Sequence, residues 1–223
     1  MNIFKRKKSS QQGCIVVIGS GVEALSQALL LQAQSQKLAL YQVRHSQQDN
    51  TLQFEALDQL TDVKANLIDS KAVAHLFKKI KQAGHVVELV VFQPAPPLEM
   101  ASTDLTSEDM QQRWQHTGLS AINIAQHAIK PMLPRQRGKF IILGSMHASA
   151  PDSGWLADGA VHAGNRALLQ SLAREFQPQG IQCCYVTLSG WSTENRQTAQ
   201  AIAQTCWHIY QQPRSAWSQE LSV

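Results

Sequence analysis

Short apolar runs alternate along this chain with longer stretches in which apolar residues recur at helical spacing. The first run, residues 14–18, is followed by apolar positions on one helical face, namely Val22, Leu25, Leu29 and Leu30. Short β-branched runs predict strands, whereas a spacing of three and four predicts helices. The alternation continues to the C-terminus. It predicts strands at residues 14–18, 38–43, 63–67, 86–92, 140–143 and 181–188.

The predicted helices lie between these strands. Asp69 and Ser70 are suitable N-cap residues for a helix over residues 71–83, and Gly84 supplies its stop. Within the polar connection 46–62, a short helix is expected around residues 54–60. Further helices are expected at residues 22–31, 107–129, 155–176 and about 194–211. Residues 213–223 are expected to add a short edge strand.

Strands that alternate with helices of this length require right-handed crossovers, which build a parallel sheet covered on both faces. The nearly all-apolar run 86–92 suits a central strand, as does 14–18. The predicted fold class is therefore α/β, a Rossmann-type doubly wound parallel sheet of three layers. It forms a single domain over residues 13–223, preceded by a disordered basic tail at residues 1–12.

Ligands of such sheets bind beyond the carboxyl ends of the strands. The polar and small residues at those ends are expected to converge on one crevice: Gly19, Ser20, Gly21, Arg44, Asn66, Gln93, Ala95, Ser145, Ser189 and Gly190.

The turn after the first strand carries the pattern G-x-G-x-x-A at Gly19, Gly21 and Ala24. In a dinucleotide-binding unit the first glycine makes the turn, and the second lets the backbone approach a pyrophosphate. The phosphates then sit at the helix N-terminus, so Ser20 and Val22 join the predicted cofactor-binding residues. A purely structural turn is the alternative, because a fold alone does not establish ligand binding.

Composition and charge exclude several classes of protein. The net charge of +4 owes much to the basic run at residues 5–8, and the sequence shows no basic stripe elsewhere. That run is interpreted as a solvated tail rather than a nucleic-acid site. No apolar segment follows it as in a secretory signal, and none is long enough to cross a membrane. The cysteines and histidines lack metal-ligand spacing. A cytoplasmic protein with reduced thiols is expected, with no nucleic acid, membrane or metal partner.

The stretch GKFIILGSMHASAPDSGWLADGAVHAGNRALLQSLAREFQPQGIQCCYV resembles a short-chain dehydrogenase/reductase, as does the C-terminal YQQPRSAWSQEL. The resemblance covers approximately residues 14–220. It implies an oxidoreductase that acts on a small carbonyl or alcohol substrate with a nicotinamide cofactor. It also implies a homodimer or homotetramer that pairs the two long helices.

The resemblance also assigns site residues. Aligned without gaps from SLARE (171–175), the family's serine falls on Ser145, its tyrosine on Asp158 and its lysine on His162. The family's helix asparagine falls at or near Gly118, and its Asn-Asn-Ala-Gly motif reads Phe-Gln-Pro-Ala at residues 92–95. Its Gly-x-x-x-Gly-x-Gly turn reads glycine, glutamate and leucine at positions 19, 23 and 25. Only the serine keeps its catalytic identity.

Three chemical interpretations of this trio remain open. Asp158 and His162 lie four residues apart and share a helix face, so the carboxylate could stabilise an imidazolium that donates a proton beside Ser145. Alternatively, the pocket is degenerate and the two residues form an ordinary surface pair. The set also matches a hydrolase triad formally, although the sequence has no G-x-S-x-G elbow.

Arg44 decides the expected cofactor. It follows the second strand, where an acidic residue would hold a ribose 2′-OH, and arginine suits a 2′-phosphate, so NADP is expected rather than NAD. The alternative is that Arg44 is a solvated loop residue. Three functions therefore remain: an NADP(H)-dependent reductase, a non-catalytic dinucleotide-binding or interaction protein, and a cofactor-free scaffold.

Overall fold

All strands in the described part of the chain lie in one sheet. The computed structural model describes residues 11–46, 52–57, 60–189 and 196–223. The strands are Gln12–Gly19 (β1), Ala39–His45 (β2), Gln53–Ala56 (β3), Thr61–Ala65 (β4), His85–Gln93 (β5), Gly138–Ser145 (β6), Ile181–Leu188 (β7) and Glu220–Ser222 (β8). Their order across the sheet is β3-β4-β2-β1-β5-β6-β7-β8.

Helices cover both faces of this sheet and complete three layers. They are Glu23–Ser35 (α1), Ser70–Gln82 (α2), Ser107–Arg113 (α3), Ser120–Ile129 (α4), Leu156–Phe176 (α5) and Arg196–Gln211 (α6). Alternate residues of β1 enter two separate apolar cores: Val16 and Ile18 face one, whereas Ile15 and Val17 face the other. The predicted α/β fold class is confirmed.

The central position of β1 and β5 is also confirmed. β1 pairs in parallel with β2 on one side and with β5 on the other. Both strands are almost wholly buried because each is covered by helices on both faces. β8 pairs in parallel with β7, which confirms the expected C-terminal edge strand.

The helix expected around residues 54–60 is wrong. Residues 53–56 form β3, which runs antiparallel to β4 with Glu55 opposite Asp62. All four β3 residues are exposed, so this segment has no buried apolar face that would favour a helix. The free edge of β4 offers ladder hydrogen bonds instead, and tertiary pairing overrides the weak local preference.

The long helix expected over residues 107–129 is divided. α3 is followed by a π-helical segment, Trp114–Leu119, before α4 continues the path. The segment contains Gly118, and a Cβ atom there would press on the Trp114 ring. Wider helical turns of this kind are frequent at functional sites, and this one lies beside the crevice.

Some expectations fall outside the described residues: most of the disordered tail expected at residues 1–12, Gly190 and the start of the last helix at 194–195. Gln12, at the end of that expected tail, is instead the first residue of β1. In the described part of the chain, none of the helices combines the length and the apolar character needed to cross a membrane.

Candidate functional site

The strand ends converge as predicted. Gly19, Gln93 and Ser145 are the last residues of the neighbouring strands β1, β5 and β6. Arg44 lies at the end of β2, next to β1 on the other side. Among the remaining residues, Asn66 directly follows β4, Ala95 follows β5 and Ser189 follows β7. One edge of the sheet therefore carries all the described candidates that lie at strand ends.

The glycine turn after β1 is held rigidly by the last residue of β5. The backbone carbonyl of Gln93 accepts a hydrogen bond from the Ser20 amide at 2.9 Å. Its side-chain Nε2 atom donates to the carbonyls of Ser20 and Gly21 at 2.7 and 2.8 Å. Gly19 and Gly21 have φ values of 138° and 60°. A Cβ atom at Gly19 would collide with the Gln93 carbonyl, so this turn requires glycine.

The N-terminus of α1 has features that suit a phosphate group. Its N-cap residue is Val22, whose side chain offers no capping hydrogen bond to the first turn. The first backbone amides of a helix need such an acceptor, and an anion can supply it. Glu23 in this turn carries a negative charge, which the guanidinium of Arg44 at 3.8 Å partly offsets.

Arg44 is anchored rather than freely solvated. Its Nε atom donates to Asp62 Oδ1 at 3.1 Å, and its Nη2 atom pairs with Asp62 Oδ2. The Asp62 side chain is buried, and the hydrogen bond to it raises the pKa of Arg44. The alternative of a solvated loop residue is therefore wrong. Asp62 itself was not among the residues singled out from the sequence.

A cavity of about 220 Å³ opens beside Arg44. It is lined by Arg44, His45, Ser46, Gln53 and Lys64. Arg44 and Lys64 are paired across the parallel strands β2 and β4, so their side chains leave the same face of the sheet. Two cationic side chains therefore line this cavity together with Ser46, and cations of this kind can bind a phosphate group.

Ser145 and His162 are both buried. The Ser145 backbone amide donates to His162 Nδ1 at 3.4 Å, and the Ser145 hydroxyl accepts from the His147 amide at 3.2 Å. Burial lowers the pKa of His162 to about 4, and the interactions with His147 and Arg113 act in the same direction. The expectation that Asp158 stabilises an imidazolium at position 162 is therefore wrong, since the ring is neutral near pH 7.

Asp158 is committed to other partners. Arg113 donates from Nη1 to both carboxylate oxygens of Asp158, at 2.8 and 2.7 Å. The Leu98 backbone amide also donates to this carboxylate, at 2.9 Å. Asp158 is only 4% exposed, so the interpretation as an ordinary surface pair with His162 is wrong.

The contacts within this trio differ from those of a hydrolase triad. In a triad the serine hydroxyl bonds the imidazole and the carboxylate orients that ring. Here the backbone amide of Ser145 bonds His162, while Asp158 binds Arg113. The geometry gives no support to hydrolysis. The described residues also contain no group of three or more His, Cys, Asp and Glu side chains placed to hold a metal.

A second cavity, of about 250 Å³, adjoins Asp158. Its lining combines apolar and charged groups: Ala95, Leu98, Met100, Asp109, Gln112, Arg113, His116, Thr117 and Asp158. The ring of His116, which also lines this cavity, meets that of His45 edge to face, with centroids 4.9 Å apart. This contact joins the helical layer to the end of β2 and bounds the crevice there. His116 was not singled out from the sequence.

Arg113 is the main site residue that sequence reasoning missed. One signal was present, because an aspartate on the apolar face of α5 requires a cationic partner when buried. The sequence offers 20 lysines and arginines, and nothing in their spacing selects position 113. The side-chain role of Gln93 and the contribution of Lys64 were also missed, because contacts between residues distant in the chain leave no signal in its spacing.

Comparisons with known proteins agree with this architecture. A family model described as enoyl-(acyl carrier protein) reductase matches residues 21–212. A short-chain dehydrogenase from Rhodopseudomonas palustris is similar with a TM-score of 0.77 and 17% identity, over 95% of this chain and 97% of that one. ElxO, solved with NADP bound, is similar with a TM-score of 0.76 and 12% identity, over 94% and 96% of the two chains.

A third similar structure is a short-chain dehydrogenase/reductase family oxidoreductase from Brucella ovis, in complex with a partially ordered NAD. Its TM-score is 0.74 at 15% identity, over 95% of this chain and all of that one (100%). No curated protein sequence matches this chain significantly. At these identities the structures show a shared fold.

Proposed function

Because the chain belongs to the short-chain dehydrogenase/reductase family, we propose that it binds a nicotinamide dinucleotide at the carboxyl edge of its sheet but lacks the family's usual proton relay. One observation carries the second half of this proposal, the loss of the relay. Asp158, in the place that the resemblance assigns to the tyrosine, is held by Arg113 in a buried ion pair.

The residues at the glycine turn fit a dinucleotide. Gln93 holds the Gly19–Gly21 backbone open, and the first turn of α1 has no side-chain cap from Val22. A pyrophosphate would accept hydrogen bonds from these backbone amides. A bound nicotinamide dinucleotide supplies a hydride donor or acceptor. The residues of this chain would hold that group and shape the crevice around it.

Arg44 and Lys64 favour NADP over NAD in this proposal. Both line the cavity of about 220 Å³ at the end of β2, where a 2′-phosphate would find two cations. Asp62 and Glu23 also contact Arg44 and reduce the net positive charge there. We therefore expect a moderate preference for NADP rather than exclusion of NAD. Of the two nucleotide-bound structures described above, ElxO was solved with NADP and the Brucella ovis protein with NAD.

Proton transfer is the step that the described residues do not support. A carboxylate paired with a guanidinium has no proton to donate, and the neutral imidazole of His162 is fully buried and accepts from the Ser145 backbone amide. Loss of a general acid costs about 10²–10⁴-fold in rate. The conclusion is a dinucleotide-binding protein with little activity on ordinary dehydrogenase substrates.

The cavity of about 250 Å³ favours a second candidate function, reduction of a small carbonyl compound. It lies beside Asp158, and its apolar side is formed by Ala95, Leu98 and Met100. In this alternative Arg113, which also lines the cavity, stabilises negative charge that develops on the substrate oxygen. Water would then supply the proton.

Calorimetric titration with NADPH and with NADH, followed by a screen of aldehydes and ketones, separates these functions. Binding without turnover supports the proposal. Turnover that disappears in Arg113→Met while NADPH still binds supports the second candidate. Absence of binding by either nucleotide contradicts both and favours the cofactor-free scaffold.

A further inference from the structure

The opposite edge of the sheet, where the strands begin, carries a concentration of positive charge. Three neighbouring cavities of about 540, 530 and 610 Å³ lie there and share lining residues, including Gln11, Arg135 and Arg137. Their lining contains eight lysines and arginines, which we call the basic edge: Lys37, Lys78, Lys81, Lys130, Arg135, Arg137, Lys139 and Arg214. These eight residues come from distant parts of the chain, so the sequence itself shows no basic stripe.

The basic edge has little negative charge of its own. Glu88 is the one carboxylate among the described residues that line the three cavities. It is already engaged, because Arg137 donates to it at 3.0 Å and the Tyr210 hydroxyl at 2.7 Å. Within the described ranges, no ion pair involves Lys37, Lys78, Lys81 or Lys130, and all four are exposed.

Two of these cations are anchored to backbone carbonyls. Arg135 donates to the Val87 carbonyl at 2.6 Å, and the Lys139 ammonium donates to the Ile209 and Gln212 carbonyls at 2.6 and 2.9 Å. The neighbouring charge of Arg137 contributes to a lowered pKa of Arg135, after burial as the main cause. Like charges fixed side by side in this way are stabilised by an external anionic surface.

The chain also enters the fold at this edge. Gln11, the first described residue, lines two of the three cavities. Four further cations at positions 5–8 precede it in the sequence by only a few residues. Directly before them stand two apolar residues, Ile3 and Phe4. A basic cluster next to a few apolar residues is typical of segments that bind an anionic lipid surface.

We propose that the basic edge, together with the N-terminal basic run, binds the surface of a membrane rich in anionic phospholipids. The chemistry favours lipid over single-stranded nucleic acid. Apolar side chains such as Phe4 add affinity at a lipid interface, whereas single-stranded nucleic acids need free aromatic faces for stacking. Trp217, on this edge, already lies against Lys139 and Arg214, with each cation 5.6 Å from the ring centroid. A membrane-bound basic run differs from the solvated tail without a membrane partner that the sequence led us to expect.

Co-sedimentation of the full chain with vesicles tests the proposal. We expect binding to phosphatidylcholine vesicles that contain phosphatidylserine, weak binding to pure phosphatidylcholine, and a decrease with added salt. The triple variant Lys78→Gln/Lys81→Gln/Lys130→Gln should bind roughly 10-fold more weakly or worse. A matched control is Lys71→Gln/Arg174→Gln/Arg196→Gln, which removes the same charge from exposed positions outside the three cavities.

Equal losses in the two triple variants would overturn the proposal, as would equal binding to both kinds of vesicle or no binding at low salt. Tighter binding to a single-stranded oligonucleotide than to the anionic vesicles would also overturn it. NADPH titration of the Lys78→Gln/Lys81→Gln/Lys130→Gln variant gives an independent readout, because the dinucleotide site lies at the other edge of the sheet. Its affinity for NADPH should equal that of the unmodified protein.

Discussion

Arg113 binds both carboxylate oxygens of Asp158 through a single Nη1 atom and thereby joins α3 to α5 beneath the crevice. The Arg113 side chain is 18% exposed and that of Asp158 6%. At the position that the family resemblance assigns to a proton-donating tyrosine, this chain holds a structural ion pair. The same contact explains why α5 tolerates a buried aspartate in its first turn.

Breaking this pair should destabilise the fold. Arg113→Met leaves the buried Asp158 carboxylate without its cation, and we expect the free energy of unfolding to fall by about 3–5 kcal/mol. Asp158→Asn keeps an oxygen for the Leu98 amide and should cost less. Chemical denaturation of both single variants and the double variant measures the coupling. As a control, Arg166→Met removes the exposed pair with Glu220 and should cost less than about 1 kcal/mol. Similar losses in Arg113→Met and Arg166→Met would contradict the structural role.

His162 should make the protein sensitive to acid. Its pKa is about 4 in the native state against an ordinary value of 6.5, so the unfolded chain binds more protons between these values. The free energy of unfolding should therefore fall as the pH drops from about 6.5 to about 4, by up to about 3 kcal/mol from this group. Denaturant titrations at several pH values measure it. His162→Gln should flatten the dependence, whereas His75→Gln, at an exposed position, should leave it unchanged.

Cofactor preference should depend on the two cations beside β2. Arg44→Asp should weaken NADPH binding more than NADH binding, by about 1.5–3 kcal/mol. Because Arg44 also holds Asp62, the exposed Lys64 provides a cleaner variant. Lys64→Gln should weaken NADPH binding alone, by about 1 kcal/mol or less. Calorimetry with both nucleotides measures the difference. Equal affinities for NADPH and NADH in the unmodified protein would remove the basis of this prediction.

Gln93 should affect both nucleotides equally. Gln93→Leu removes the two hydrogen bonds to the Ser20 and Gly21 carbonyls, which we expect to cost about 1–3 kcal/mol of stability. The pyrophosphate is common to NADPH and NADH, so their affinities should fall together. Gln126→Leu, on the exposed side of α4, is the matched control and should change neither quantity. A selective loss of NADPH alone would show that Gln93 does not act through the turn.

Much of the fold can be predicted from the sequence because each element carries its own pattern within a short stretch of the chain. Each buried strand is a short β-branched run, and each amphipathic helix repeats its apolar residues at a fixed spacing. Even the central strands β1 and β5 and the N-cap Asp69, whose carboxylate accepts from the Lys71 amide at 2.8 Å, can be identified in this way. β3 was missed because all its residues are exposed, so only the edge of β4 gives them a partner.

The sequence by itself determined the three-layer architecture and the edge of the sheet where the candidate residues meet, because strand direction places every carboxyl end on the same side. Tertiary structure alone decided what those residues do. It paired Asp158 with Arg113 rather than His162, and it lowered the pKa of His162 through burial. Pairings between charges distant in the chain, and the loss of solvent around an imidazole, depend on how elements pack and leave no periodic signal in a single sequence.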